Sequence, residues 1–224
     1  MLKYRILAGA AASAALFASA AAAQVCQGDL SFRGSPVHVG GTLGITDNTT
    51  AFGGGLNFGH ARGFYGGGSL GMMNFDASSA NGTGLLLGGG VGYAMPLADR
   101  SPWQVCPGAT LGLDFGPSQD IGGTSVHYSS QTFTLGASMG RALPLNKSVT
   151  LLPFGEVALG HTTAHASAGG ASASASDTYL VLGFGAGFQF SPSFVLRPAM
   201  QVLAGADILD DTVFSLGVSF ALPR

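Results

Sequence analysis

"YLVLGFGAGFQF", residues Tyr179 to Phe190, alternates with a period of two. Leu180, Leu182, Phe184, Ala186, Phe188 and Phe190 fall on one parity; Tyr179, Val181, Gly183, Gly185, Gly187 and Gln189 fall on the other. A half-buried soluble strand turns its bulky side to the core and a polar, charged side to water. Here the second face is mostly glycine and carries no charge. The stretch therefore reads as a strand whose bulky face meets lipid and whose glycine face lines an interior.

Composition extends that reading to the whole chain. Charged residues make up 9% of it, against about a quarter in soluble proteins. Its 37 glycines in 224 residues are more than twice the usual share. After the first residues no stretch approaches eighteen consecutive apolar residues, so membrane helices do not explain the hydrophobicity. The other way to satisfy every backbone group in a bilayer is a closed barrel of strands.

The N-terminus reads as an export signal. Lys3 and Arg5 form a positive start, Ile6 to Ala22 is apolar and small, and Ala21-Ala22-Ala23 offers a cleavage site before Gln24. Cys26 follows Val25 rather than a small residue, against a lipoprotein anchor. The expected organisation is a signal peptide over 1–23, a periplasmic tail over 24–35 and an outer-membrane barrel over 36–224. Loss of Lys3 and Arg5 leaves seven basic against eleven acidic residues, which argues against nucleic acid as a partner.

Alternation marks ten strands: Val37 to Ile45, Ala51 to His60, Gly63 to Phe75, Leu85 to Met95, Pro102 to Phe115, Gln131 to Ala142, Val149 to His161, Tyr179 to Phe190, Phe194 to Ala204 and Thr212 to Leu222. Each suits a tilted crossing. The fold class is all-β, a transmembrane antiparallel up-and-down barrel. Pro107, Pro153 and Pro198 fall inside strands, where each removes a ladder donor and calls for a bulge. They leave an eight-strand alternative open, with the Val149 or Phe194 region displaced.

With the N-terminus in the periplasm, the long connections, Asp76 to Gly84, Gly116 to Ser130 and Thr162 to Thr178, are expected as extracellular loops. Charge sorts the same way. The extracellular connections hold Asp47, Asp76, Asp120, Asp177, Asp207, Asp210 and Asp211 without a Lys or Arg, whereas Arg33, Arg62, Arg100, Arg141, Lys147 and Arg224 fall at the periplasmic end. Asp29 and Asp99 lie there too. Acidic mouths can attract divalent cations or favour cation entry. Aromatics gather at strand ends, Phe58, Phe64, Tyr93, Trp103, Phe190, Phe194 and Phe220 at one and Phe52, Phe115, Phe133 and Phe214 at the other, as two interfacial girdles would.

The last strand, "SLGVSFAL", carries Ser215, Gly217, Phe220 and Leu222 in a polar, glycine, hydrophobic pattern. It resembles the C-terminal assembly signal of bacterial outer-membrane proteins, although it ends Pro223-Arg224 rather than on an aromatic. With the leader and the strand pattern, the chain resembles the small single-chain outer-membrane barrels, the OmpA-like, opacity-protein-like and porin-like group. That resemblance implies outer-membrane lipid and the barrel-assembly machinery as partners, in a Gram-negative-type envelope.

Cys26, in the tail, and Cys106, near the periplasmic start of the fifth strand, would both meet an oxidising compartment. A ten-strand barrel is roughly 20 Å across and the tail can reach about 33 Å, so a Cys26 to Cys106 disulfide pinning the tail across the mouth is expected. Asp114, Glu156 and Arg197 fall on the inward parity with His38, Asn57, Gln104, Gln189 and Gln201. A buried Glu156 to Arg197 ion pair is the structural expectation; a solute-filtering constriction is the functional one.

Catalysis is not expected. His127 with Ser129 or Ser130 and Asp120, His161 with His165, and the Asp210-Asp211 pair match no motif spacing. "SAGGASASASD", Ser167 to Asp177, reads as a flexible low-complexity loop. No cofactor or metal motif is present, since the Gly-x-Gly runs follow strand parity and precede no helix. Two functions stand: a structural or surface-interaction barrel, or a small porin-like channel for solutes or cations. A soluble lipocalin-like barrel, bulky face inward, is the third reading.

Overall fold

The computed structural model describes residues 25–32, 35–60, 63–77, 80–99, 101–121, 124–206 and 209–223. The expected leader, Asp207 and the rim bases Arg33, Arg62, Arg100 and Arg224 lie outside the described residues. Ten long strands follow a short 3-10 turn at Val25–Gln27. They are β1 (Val37–Ile45), β2 (Thr49–Gly59), β3 (Gly63–Ala77), β4 (Ala80–Pro96), β5 (Trp103–Ile121), β6 (Thr124–Arg141), β7 (Thr150–Ala168), β8 (Ala171–Ser191), β9 (Phe194–Ala204) and β10 (Thr212–Ala221).

Consecutive strands pair antiparallel, and β1 pairs with β10 from His38↔Ala221 to Ile45↔Phe214, which closes the barrel. The eight-strand alternative is set aside, because β7 and β9 are each paired on both sides. The start of β1 and the end of β10 lie at one end, termed the terminal mouth; the other is the far mouth.

The strand through Tyr179 to Phe190 turns its two parities as expected. Tyr179 and Val181 are 2% and 4% exposed, whereas Leu180, Leu182, Phe184 and Phe190 stand on the outside. Leu135, Leu159 and Leu180 are register partners across β6, β7 and β8, one rung of a continuous apolar belt. No soluble barrel leaves so many large apolar side chains in the open, so the lipocalin-like reading is set aside. The girdle near the terminal mouth is built from contacts: Phe64 against Tyr93 at 5.0 Å, Phe194 between Phe190 and Phe220, and Arg141 over the Trp103 ring at 5.1 Å.

At the far mouth the strands run well past the expected limits. The three stretches read as long loops are extensions of paired strands, as far as Ala77↔Ala80, Ile121↔Thr124 and Ala168↔Ala171. "SAGGASASASD" is thus a hairpin whose two-residue turn is Gly169-Gly170, with φ of 54° and 88°. Positive φ at both central positions is what a type I′ turn requires. Ala171 to Ser174 are exposed on both faces. Where both faces are wet, strand residues need not alternate in polarity, and the period-two signal vanishes although the hydrogen-bond ladder continues.

Pro107, Pro153 and Pro198 do not make bulges. The two register shifts lie elsewhere, at Phe194/Val195 and between Phe115 and Ser118. Pro107 keeps its pairing with Ala137 on β6, while on the β4 side pairing stops at Gly92↔Gly108 and resumes at Met95↔Val105 in the same register. Pro153 keeps its place against Ala186, while the β6 side skips from Gly140↔Phe154 to a two-residue continuation at Leu143↔Leu151. Pro198 faces Leu216 on β10, and the β8 side skips from Leu196↔Phe188 to Ala199↔Gly185. An antiparallel residue directs its N–H to one neighbour only, so a proline opens one seam and spares the other. Each seam lacks two pairs, all near the terminal mouth.

Candidate functional site in the barrel lumen

The tail enters the lumen and meets all three proline seams. Cys26 is bonded to Cys106, which lies in the β4/β5 seam, with Cα atoms 6.1 Å apart. The expected disulfide is present, and both cysteines are fully buried with Phe32, Tyr65 and Ala94. Leu30 packs on Leu152 of the β6/β7 seam and on Val195. In the β8/β9 seam, a Cβ on Gly187 would collide with the Gly28 carbonyl oxygen, and Arg197 donates from Nη1 to the Gln27 carbonyl at 3.2 Å. Gly28 itself has a φ of 68°, which turns the tail as only glycine does readily.

Arg197 pairs with the tail rather than making the expected bridge to Glu156. Its Nη1 lies 4.0 Å from Asp29 Oδ2, with both side chains buried. Asp29 also accepts from Ser219 Oγ at 2.8 Å and from the Leu30 N–H at 2.7 Å. The strand-parity reading placed only strand residues in the lumen, and so missed the carboxylate that the tail carries in. Asp29 read as an exception to the charge sorting; three residues after Cys26, it travels with the disulfide.

Glu156 belongs to a lumenal row crossing five strands. Cys106↔Ser138, Ser138↔Glu156, Glu156↔Gly183 and Gln201↔Gly183 are successive register partners from β5 to β9. Gly183 has no side chain to intervene, so Gln201 Nε2 reaches over it and donates to Glu156 Oε2 at 3.3 Å. Nearer the far mouth, Ser130 Oγ donates to the buried Asp114 carboxylate. Thr132, Thr162 and the Tyr179 hydroxyl form a chain with spacings of 2.8 and 3.0 Å.

Beside these polar groups, the far half of the lumen holds two apolar clusters. Ala158, Tyr179, Val181, Leu203 and Leu209 form one cluster, and Ala51, Met73 and Leu86 another, with Phe75 against it. These inward bulky residues were legible only as the weaker parity of strands whose outer parity is bulkier. Three cavities lined by described lumenal residues measure about 30, 30 and 20 Å³, room for roughly a water or two each.

Other predicted residues fall apart in space. His127 Nδ1 is 2.6 Å from Ser118 Oγ on the outer face, while Ser130 points inward to Asp114. Ser129 is the register partner of His165. His161 meets Thr178 at 2.8 Å; four residues along one strand put it about 13 Å from His165. Among the described residues no three His, Cys, Asp or Glu side chains group to hold a metal. Of the acidic far-mouth set, Asp210 accepts from Asn48 at 3.0 Å, Asp47 and Asp211 are exposed, and Asp177 lies on the lumenal parity above Tyr179. Asp76 and Asp120 sit in strand register opposite Asn81 and Ser125. In the C-terminal pattern, a Cβ on Gly217 would lie 3.3 Å from Arg197 Nη2, Ser215 lines a cavity with Glu156, and the Leu222 N–H donates to the Val37 carbonyl at 3.0 Å. Phe220 completes the aromatic stack on Phe194.

A closed ten-strand antiparallel barrel, greasy outside and filled within, defines the class: an outer-membrane β-barrel. Residues 8–221 match the model of the outer membrane protein beta-barrel domain, and the chain belongs to that family. Among solved structures it is similar to the translocator domain of the autotransporter NalP from Neisseria meningitidis, at 14% identity over 83% of this chain and 87% of that one, with a TM-score of 0.51. Ail, the attachment invasion locus protein of Yersinia pestis, is 18% identical over 83% of this chain and 96% of its own, with a TM-score of 0.43. The beta domain of the Bordetella autotransporter BrkA is 14% identical over 83% and 98%, with a TM-score of 0.48. No curated protein sequence matches the chain significantly.

Proposed function

We propose that the protein is a closed barrel of the bacterial outer membrane, exported through a cleaved leader, with a structural or surface-interaction role and no catalytic activity of its own. One observation carries this reading: the lumen is occupied from both ends, by the disulfide-bound tail at the terminal mouth and by the strands' own apolar side chains at the far one. The terminal mouth is the periplasmic one in this reading. The far-mouth hairpins then stand above the outer leaflet as the surface available to partners, and the barrel-assembly machinery acts during insertion.

Planar-bilayer recording tests it. The oxidised protein is expected to give no defined conductance steps, and regular steps would overturn the closed-lumen reading. A small cation channel is the second reading, supported by the acidic far mouth, where Asp47 and Asp211 are exposed. Steps that appear only after reduction would select that reading, with the tail as its gate. Mass spectrometry of the mature N-terminus tests cleavage before Gln24.

A further inference from the structure

Glu156 sits in an unusual setting for a lumenal carboxylate. The hydrogen bond it accepts comes from a neutral amide, Gln201. Arg197 lines one of the same cavities, but its Nη1 is directed at the tail, at Asp29 and the Gln27 carbonyl. On the opposite side Glu156 borders a cavity of about 30 Å³ shared with Gln27, Tyr65, Thr110, Thr134 and Ser138. Two of these groups are buried and unsatisfied: Ser138 is 3% exposed and its Oγ has no partner, and Gln27 Oε1 has none. Ser138 is also the direct cross-strand partner of Glu156.

We infer that this cavity is a sodium site, in which Glu156, Ser138 Oγ and Gln27 Oε1 coordinate one dehydrated or singly hydrated ion. The donors are oxygens throughout, the set that suits hard cations. A single carboxylate is neutralised by one positive charge, whereas a divalent ion would leave a surplus charge in a low-dielectric interior. The volume admits one small ion with about one water at most. Because Gln27 belongs to the tail, Ser138 to β6 and Glu156 to β7, the ion would fasten the tail to the wall beside the disulfide.

The test uses the oxidised, folded full mature chain in detergent micelles. Its thermal unfolding midpoint is compared in sodium chloride and in choline chloride of equal ionic strength, choline being too large for the cavity. Sodium is expected to raise the midpoint by about 3 °C, with the increment lost in Glu156→Gln and reduced in Ser138→Ala. Equal wild-type midpoints in the two salts would overturn the inference, as would an increment of the same size in Glu156→Gln, which marks a general salt effect. If Glu156→Gln does not refold, wild type and Ser138→Ala decide: an increment undiminished in Ser138→Ala counts against the site. Bilayer conductance is read separately, so a failure here leaves the closed-lumen reading standing.

Discussion

The two halves of the lumen are filled by different means. At the far mouth, Val181, Leu203, Met73 and Leu86 come from the barrel strands themselves, so closing the barrel fills that half. At the terminal mouth, Cys26, Leu30 and Phe32 come from a separate segment that must be carried in. The first filling is a property of the wall; the second is a separate insert held by one covalent bond, one ion pair, hydrogen bonds from Arg197 and Ser219, and a few apolar contacts. A barrel can therefore be tight at one end by sequence parity alone while its other end depends on a segment outside the parity pattern.

The largest expected break in this asymmetry is Cys26→Ser. The disulfide spans 80 residues of sequence, and the chain-entropy model assigns such a link roughly 4 kcal/mol. Urea unfolding of the refolded protein is expected to register a loss of that order, with the tail becoming sensitive to protease while the strands remain protected. Arg197→Leu comes next, at about 3 kcal/mol, because it leaves Asp29 as an uncompensated buried charge; Asp29→Asn in the same background should recover part of the loss. Leu203→Ala, in the wall-filled half, is expected to cost about 2 kcal/mol by cavity formation. Its tail should stay protected, and a protease-sensitive tail in that variant would show the two halves to be coupled. The smallest effect is at the far hairpin. Gly169→Ala places a side chain at a φ of 54° and should cost under about 1 kcal/mol, seen as local amide exchange at the tip with no change in global unfolding.

Legibility in the sequence followed the same division. The membrane crossings were readable because lipid forces one parity of each strand to be bulky. The limits of β1 and β9, at Val37–Ile45 and Phe194–Ala204, fall where alternation alone puts them. Beyond the lipid that force ends, which is why Ala171 to Thr178 read as a loop although it is ladder-paired up to the Gly169-Gly170 turn. The cysteine link was legible from compartment and reach. The partner of Arg197 was not, because Asp29 sits in a segment with no periodicity to orient it. Nor was the effect of Pro107, Pro153 and Pro198, since composition does not say which of two neighbours a missing N–H would have served.

Those three one-sided openings have a mechanical consequence. Around the rim near the chain ends, the hoop of strands is notched at the β4/β5, β6/β7 and β8/β9 seams, and a hoop yields first where rungs are missing. The inserted segment touches Cys106, Leu152 and Arg197, one residue from each notch. It thus ties the three notches from inside the rim, supplying through the Cys106 disulfide and the Arg197 contacts part of the cross-linking that the missing rungs do not.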